Sequence, residues 1–119
     1  MPGMRVSRKR RALISAIGEL NAASAVLRET LKGYEREMTR IRRRLEDGAP
    51  ALDASRGTEI PAQRRRVTEG IEEFEAARKQ LRVALLAVGQ EEGASASDVA
   101  RVLGVSRQLI SRIAAQVER

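Results

Sequence analysis

Arg107, Gln108, Ser111 and Arg112 are the residues of this 119-residue chain whose types and spacing invite chemistry. On a helix they fall as two pairs four residues apart, neighbours along one side. Guanidinium and carboxamide groups form paired hydrogen bonds with planar polar edges, and a seryl hydroxyl adds a donor or an acceptor. Such groups recognise rather than catalyse. The chain has no Cys and no His, so a zinc site of the usual kind, a thiol nucleophile and an imidazole base are all missing. No carboxylate or Ser/Lys cluster takes their place. No catalytic residue, metal ligand, cofactor or small-molecule ligand is therefore assigned, and the chain is not expected to be an enzyme.

The elements that must hold these residues are legible piece by piece. Ser95 and Asp98 have capping-box spacing, although Asp is shorter than the usual Glu. Val99, Ala100 and Leu103 form the inner face of a short helix, with Ala100 small where the next helix crosses. Gly104 supplies the positive φ of a tight turn that a β-carbon would oppose. Val105 plugs the corner, and Ser106 is a good N-cap for the last helix. There Ile110, Ile113 and Ala114 lie inward, which leaves Gln108 and Arg112 outward and Arg107 and Ser111 at the margins. A surface of this kind suits a major groove: Arg pairs with guanine, Gln with adenine, and Leu109 is expected to meet a thymine methyl.

Residues 95–117, through Val99, Ala100, Leu103, Gly104, Val105, Ile110 and Ile113, resemble the helix-turn-helix of the resolvase/Hin recombinase and sigma region-4-like families. The resemblance widens to residues 81–119 if Leu81, Leu85 and Val88 supply the first helix of a trihelical head. It implies double-stranded DNA as partner, with Arg107, Gln108, Ser111 and Arg112 reading the groove and Ser106 touching a phosphate. Elsewhere the chain departs from those families. It has no recombinase catalytic domain and no promoter-melting region, so their enzymology is not implied, and no full-length family is recognised.

Upstream the pattern changes to long helices. Leu13, Ile17, Leu20, Ser24, Leu27, Leu31, Tyr34, Met38, Ile41 and Leu45 recur at spacings of four and three, a heptad stripe with Ile17, Ser24 (its one polar member), Leu31, Met38 and Leu45 at a and Leu13, Leu20, Leu27, Tyr34 and Ile41 at d. The spacing predicts a helix over 13–47, roughly 50 Å long. It is too long to enclose and must pair. Asp47-Gly48-Ala49-Pro50 stops it, residues 48–57 read as a linker, and Thr58 is the expected N-cap of a second helix over 58–90. Ile60, Val67, Ile71, Phe74, Leu81, Leu85 and Val88 continue the spacing there. The stripes suit a hairpin within one chain or a coiled coil between chains. Spacing leaves both open, and a homodimer seam through Leu13, Ile17, Leu20, Leu27, Leu31, Tyr34, Met38, Ile41 and Leu45 is expected beside the hairpin.

Composition agrees with an all-α class: aliphatic residues carry the apolar content, and Tyr34 and Phe74 are the only aromatics. The net charge of +7 favours polyanionic partners. Arg5, Arg8, Lys9, Arg10 and Arg11 form a basic arm over residues 1–12, the expected source of phosphate contacts. The runs Arg40, Arg42, Arg43, Arg44 and Arg64, Arg65, Arg66 flank the linker, as a solvated surface or a second nucleic-acid contact. No apolar run approaches the ~20 residues of a membrane span, and the absence of Cys favours a cytoplasmic setting, here the nucleoid. The reading that unites these features is a dimeric, sequence-specific DNA-binding regulator of transcription. A nucleoid-associated or phage/plasmid accessory DNA-binding protein is one alternative. A coiled-coil adaptor whose helix-turn-helix contacts protein is another.

Overall fold

Ser7 opens the first helix: its Oγ accepts the Arg10 N–H at 3.0 Å and its carbonyl accepts the Arg11 N–H at 2.9 Å. The computed structural model describes residues 6–117 and, among these, five helices and no strand. They are α1 (Arg8–Glu46), α2 (Ala51–Ser55), α3 (Ile60–Glu91), α4 (Ala96–Leu103) and α5 (Arg107–Val117). The all-α class expected from composition is observed, with a long N-terminal helix.

Three boundaries differ from expectation. With Ser7 as cap, helix formation runs back through Arg8, Lys9, Arg10 and Arg11, so these four residues of the arm belong to α1. Arg and Lys are good helix formers, and a capped start lets them propagate. Arg5 lies outside the described residues. The linker over 48–57 contains the short helix α2. Thr58 does not cap α3: its hydroxyl donates to the Ser55 carbonyl, closing the turn after α2. The first turn of α3 is instead entered through Glu59, whose carbonyl accepts the Gln63 N–H at 2.8 Å.

The chain divides into two compact units, one comprising Met1–Asn21 with Ala76–Arg119 and the other Ala22–Glu75. In the Ala22–Glu75 unit, Leu27 of α1 meets α3 at Gly70, where a β-carbon would sit 3.1 Å from Leu27 Cδ1. Gly33 faces Gln63, 3.6 Å away by the same measure. Contacts that fall from 70 to 63 as they rise from 27 to 33 mark antiparallel segments. Ile41 and Ala54 are buried. Arg44 Nη1 donates to the Ala54 carbonyl at 3.0 Å and to the Arg56 carbonyl at 3.5 Å. That guanidinium serves carbonyls at the C-terminal end of α2, which the helix itself leaves without donors. Buried Glu37 pairs with Arg40 Nη1 at 3.4 Å.

The expected dimer seam is partly used within the chain. Its d members Leu13, Leu20, Leu27 and Tyr34 are half-buried and Ile41 is buried. Of the a members, Met38 is half-buried, whereas Ile17, Leu31 and Leu45 remain exposed.

In the unit containing both termini, Leu86 of α3, Val99 and Ala100 of α4, and Ile110 and Ile113 of α5 form a buried cluster. Val83, Leu103, Val105 and Leu109 pack against it. Leu86 and Ile110 are its largest fully buried side chains, each contributing roughly 1.5–3 kcal/mol by leaving water.

Candidate nucleic-acid interface

The local sequence sets the angle between α4 and α5 through backbone hydrogen bonding. At the start of α4, Ser95 Oγ accepts the Asp98 N–H at 3.1 Å, and Asp98 Oδ2 accepts the Ser95 N–H at 3.0 Å. The reciprocal box satisfies two N–H groups at once. The donated Ser95 N–H, then the Ser95 hydroxyl and nearby Arg101, hold the Asp98 carboxyl below its ordinary value of 3.8. At the other end Gly104 adopts φ 68° and ψ 31°. The Val105 N–H reaches the Ala100 carbonyl at 3.0 Å and the Gly104 N–H reaches that of Arg101 at 3.3 Å. This pair of bonds is a Schellman stop, and a non-glycine residue would be strained in it. Ser106 then caps α5, its Oγ accepting the Leu109 N–H at 3.1 Å.

With Ile110 and Ile113 anchored in the cluster, the other side of α5 faces solvent. Arg107, Gln108, Ser111 and Arg112 are all exposed and line one shallow hollow of about 700 Å³. The four residues singled out from spacing are thus brought together. Ser106 is exposed beside them, with its oxygen engaged in the cap and its hydroxyl proton left to donate. Leu109 departs from expectation. It is half-buried and packs on the core, because it neighbours Ile110 and must fill the corner near Val105, so it is withdrawn from the reading face.

Arg8, Lys9, Arg10 and Arg11 are exposed on the first turns of α1. Arg10 is engaged: its Nη1 lies 3.0 Å from Glu92 Oε2, both side chains being more than half exposed. An exposed pair of this kind contributes at most about 1 kcal/mol. Three of the arginines flanking the linker have partners within the chain. Arg44 is a structural tether, Arg42 pairs with Glu46 at 3.2 Å, and Arg40 pairs with Glu37.

Charge is divided unequally. The unit Met1–Asn21 with Ala76–Arg119 carries twelve Lys or Arg against five Asp or Glu, a net +7, whereas Ala22–Glu75 carries eleven of each and is neutral. The whole excess of the chain therefore accompanies α5. Two residues important to this geometry escaped the spacing argument. Leu86 is the fully buried α3 member of the core, and Gly89 leaves the room that the Val99 side chain of α4 occupies. No described helix is long and apolar enough to cross a membrane. Comparison with protein-family models, with curated proteins and with solved structures returns no match.

Proposed function

We propose that this chain is a sequence-specific DNA-binding protein in which α4, the Gly104 turn and α5 act as a helix-turn-helix, with α5 entering the major groove. The observation that carries the reading is the exposed quartet Arg107, Gln108, Ser111 and Arg112 on the solvent face of an anchored helix. It stands in the unit that holds the net positive charge. Arg112 and Gln108 have the donor and acceptor geometry for guanine and adenine edges, while Ser106 and the α1 residues Arg8, Lys9 and Arg11 serve phosphates. The resemblance of residues 95–117 to resolvase/Hin and sigma region-4-like heads supports the same assignment.

In this reading α1 and α3 form an antiparallel hairpin, and the exposed a residues of α1, Ile17, Leu31 and Leu45, leave apolar surface for a second copy. A homodimer would present two heads to two half-sites, the arrangement of a transcriptional regulator.

A salt titration of binding to duplex DNA tests the reading. Affinity is expected to fall with a log–log slope steeper than about −3, since each neutralised phosphate contributes about −0.9. Absence of binding at low salt would exclude it.

A further inference from the structure

We propose that the outward face of α1 between Lys32 and Arg43 is a second, sequence-independent contact with the phosphate backbone of duplex DNA. The inference rests on the DNA-binding reading and extends it to the Ala22–Glu75 unit, whose net charge of zero conceals a polarity. Residues 32–66 carry ten Lys or Arg against six Asp or Glu, a net +4, and the remainder of the unit carries one against five, a net −4. Here α1 and α3 run antiparallel, with Gly33 opposite Gln63 and Leu27 opposite Gly70. The positive excess therefore gathers at the end joined by α2, and Glu69, Glu72, Glu73 and Glu75 lie toward the other. A polyanion approaching this unit is drawn to one end and repelled from the other.

At the positive end Lys32, Glu35, Arg36, Thr39, Arg40 and Arg43 line one shallow hollow of about 480 Å³. Helical spacing turns its four cations away from Leu27, Tyr34 and Ile41, the side packed within the chain. Lys32 pairs with Glu29 at 3.2 Å and Arg40 with Glu37 at 3.4 Å. Arg36 and Arg43 are exposed and hold no ion pair among the described residues. From Lys32 to Arg43 the helix rises about 16 Å, which laid along a duplex spans roughly five phosphates of one strand. A guanidinium meets phosphate oxygens with paired N–H groups, and the Thr39 hydroxyl adds a donor. The hollow has no aromatic lining on which unpaired bases could stack. Nor does it offer an apolar side chain to enter a lipid surface, which a membrane-bound amphipathic helix requires. A duplex backbone asks for neither.

Arg36→Gln with Arg43→Gln in the full chain tests this. Gln keeps the helix propensity of Arg, so helical circular dichroism should not change. The log–log salt slope for random duplex should become shallower by about 2, and affinity at ~0.1 M salt should fall on the order of tenfold. The ratio of selected to random sites should stay as in wild type, because both lose the same phosphate contacts. Arg42→Gln with Arg56→Gln removes equal charge from guanidiniums that already pair with Glu46 and Asp53, and should leave the slope unmoved. A slope unmoved by the first pair, or moved equally by the second, overturns the proposal and leaves the α5 reading standing. A slope that responds to Arg36 and Arg43 in a protein without sequence preference does the reverse. Absence of duplex binding at low salt overturns both. If the first pair instead abolishes binding to phosphatidylserine vesicles and leaves the duplex slope unmoved, the face serves lipid and the proposal fails.

Discussion

Gly89 of α3 and Val99 of α4 meet so closely that a β-carbon on Gly89 would lie 3.0 Å from Val99 Cγ2. Both residues are buried, and a valine in a helix is largely confined to one rotamer, so Val99 has little room to yield. Helix propensity favours Gly89→Ala by about 1 kcal/mol, whereas overpacking a close contact costs about 1–3 kcal/mol. The contact should win. Gly89→Ala is expected to lower the denaturant midpoint, and adding Val99→Ala should remove the penalty of the glycine change, leaving only that of the cavity. Additive effects of the two substitutions would show that they do not act on each other.

That contact also explains what could be read from sequence. Ser95, Asp98, Gly104 and Ser106 were legible because each acts through its own neighbouring backbone: a cap or a left-handed glycine depends on residues three to five positions away. The inward placement of Val99, Ala100, Ile110 and Ile113 follows from helical periodicity in the same way. Leu86 and Gly89 depend on distant partners. In the charged unit α3 is covered on two sides, with Leu85 and Val88 bordering the hollow beside Leu13 of α1 and Leu86 facing Val99 and Ile110. A single heptad stripe through Leu81, Leu85 and Val88 reaches the cluster through Leu85 but passes over the fully buried Leu86. Ser7 was overlooked because the apolar stripe begins at Leu13, although the helix itself requires only a cap and good helix formers.

The Ser95–Asp98 box makes stability depend on acid. The Asp98 carboxyl titrates below its ordinary value of 3.8, chiefly because it accepts the Ser95 N–H. A pKa depressed in the folded state means that the charged form stabilises folding. That contribution is complete above the unfolded value, near 3.9, and is lost as pH falls through the folded pKa. Asp98→Ala should therefore be less stable than wild type at neutral pH and converge on it as pH falls through the folded pKa. Ser95→Ala should cost about 1 kcal/mol. Equilibrium denaturation across pH 2–7 measures both, and parallel curves for wild type and Asp98→Ala would remove the carboxylate from the account.

Arg44 allows a structural arginine to be told from those that the proposed function assigns to DNA. Its bonds to the Ala54 and Arg56 carbonyls predict that Arg44→Ala speeds amide exchange at Ala54 and Arg56, whose N–H groups bond to Pro50 and Leu52, with a loss of about 1 kcal/mol. The salt slope of DNA binding should not move. Arg11→Ala is the counterpart: unchanged amide exchange at Ala54 and Arg56 and a slope shallower by about 1. A shallower slope for Arg44→Ala would instead assign that guanidinium to a phosphate.

The reading face itself is tested by Gln108→Ala and Arg112→Ala. Both side chains are exposed and stand away from Ile110 and Ile113, so the fold should survive, with an unfolding midpoint within error of wild type. A bidentate contact to the correct base is worth about 1–3 kcal/mol of discrimination. Each substitution should therefore relax preference at one base pair by roughly ten- to hundredfold, while binding to unrelated duplex, set by phosphate contacts, changes little. The measurement is competition between a selected site and random duplex at fixed salt, repeated with each base pair of the site exchanged in turn. Loss of preference confined to one position per variant identifies the base each side chain meets. Preference that survives both substitutions would place recognition on another surface, whatever the affinity for DNA as such.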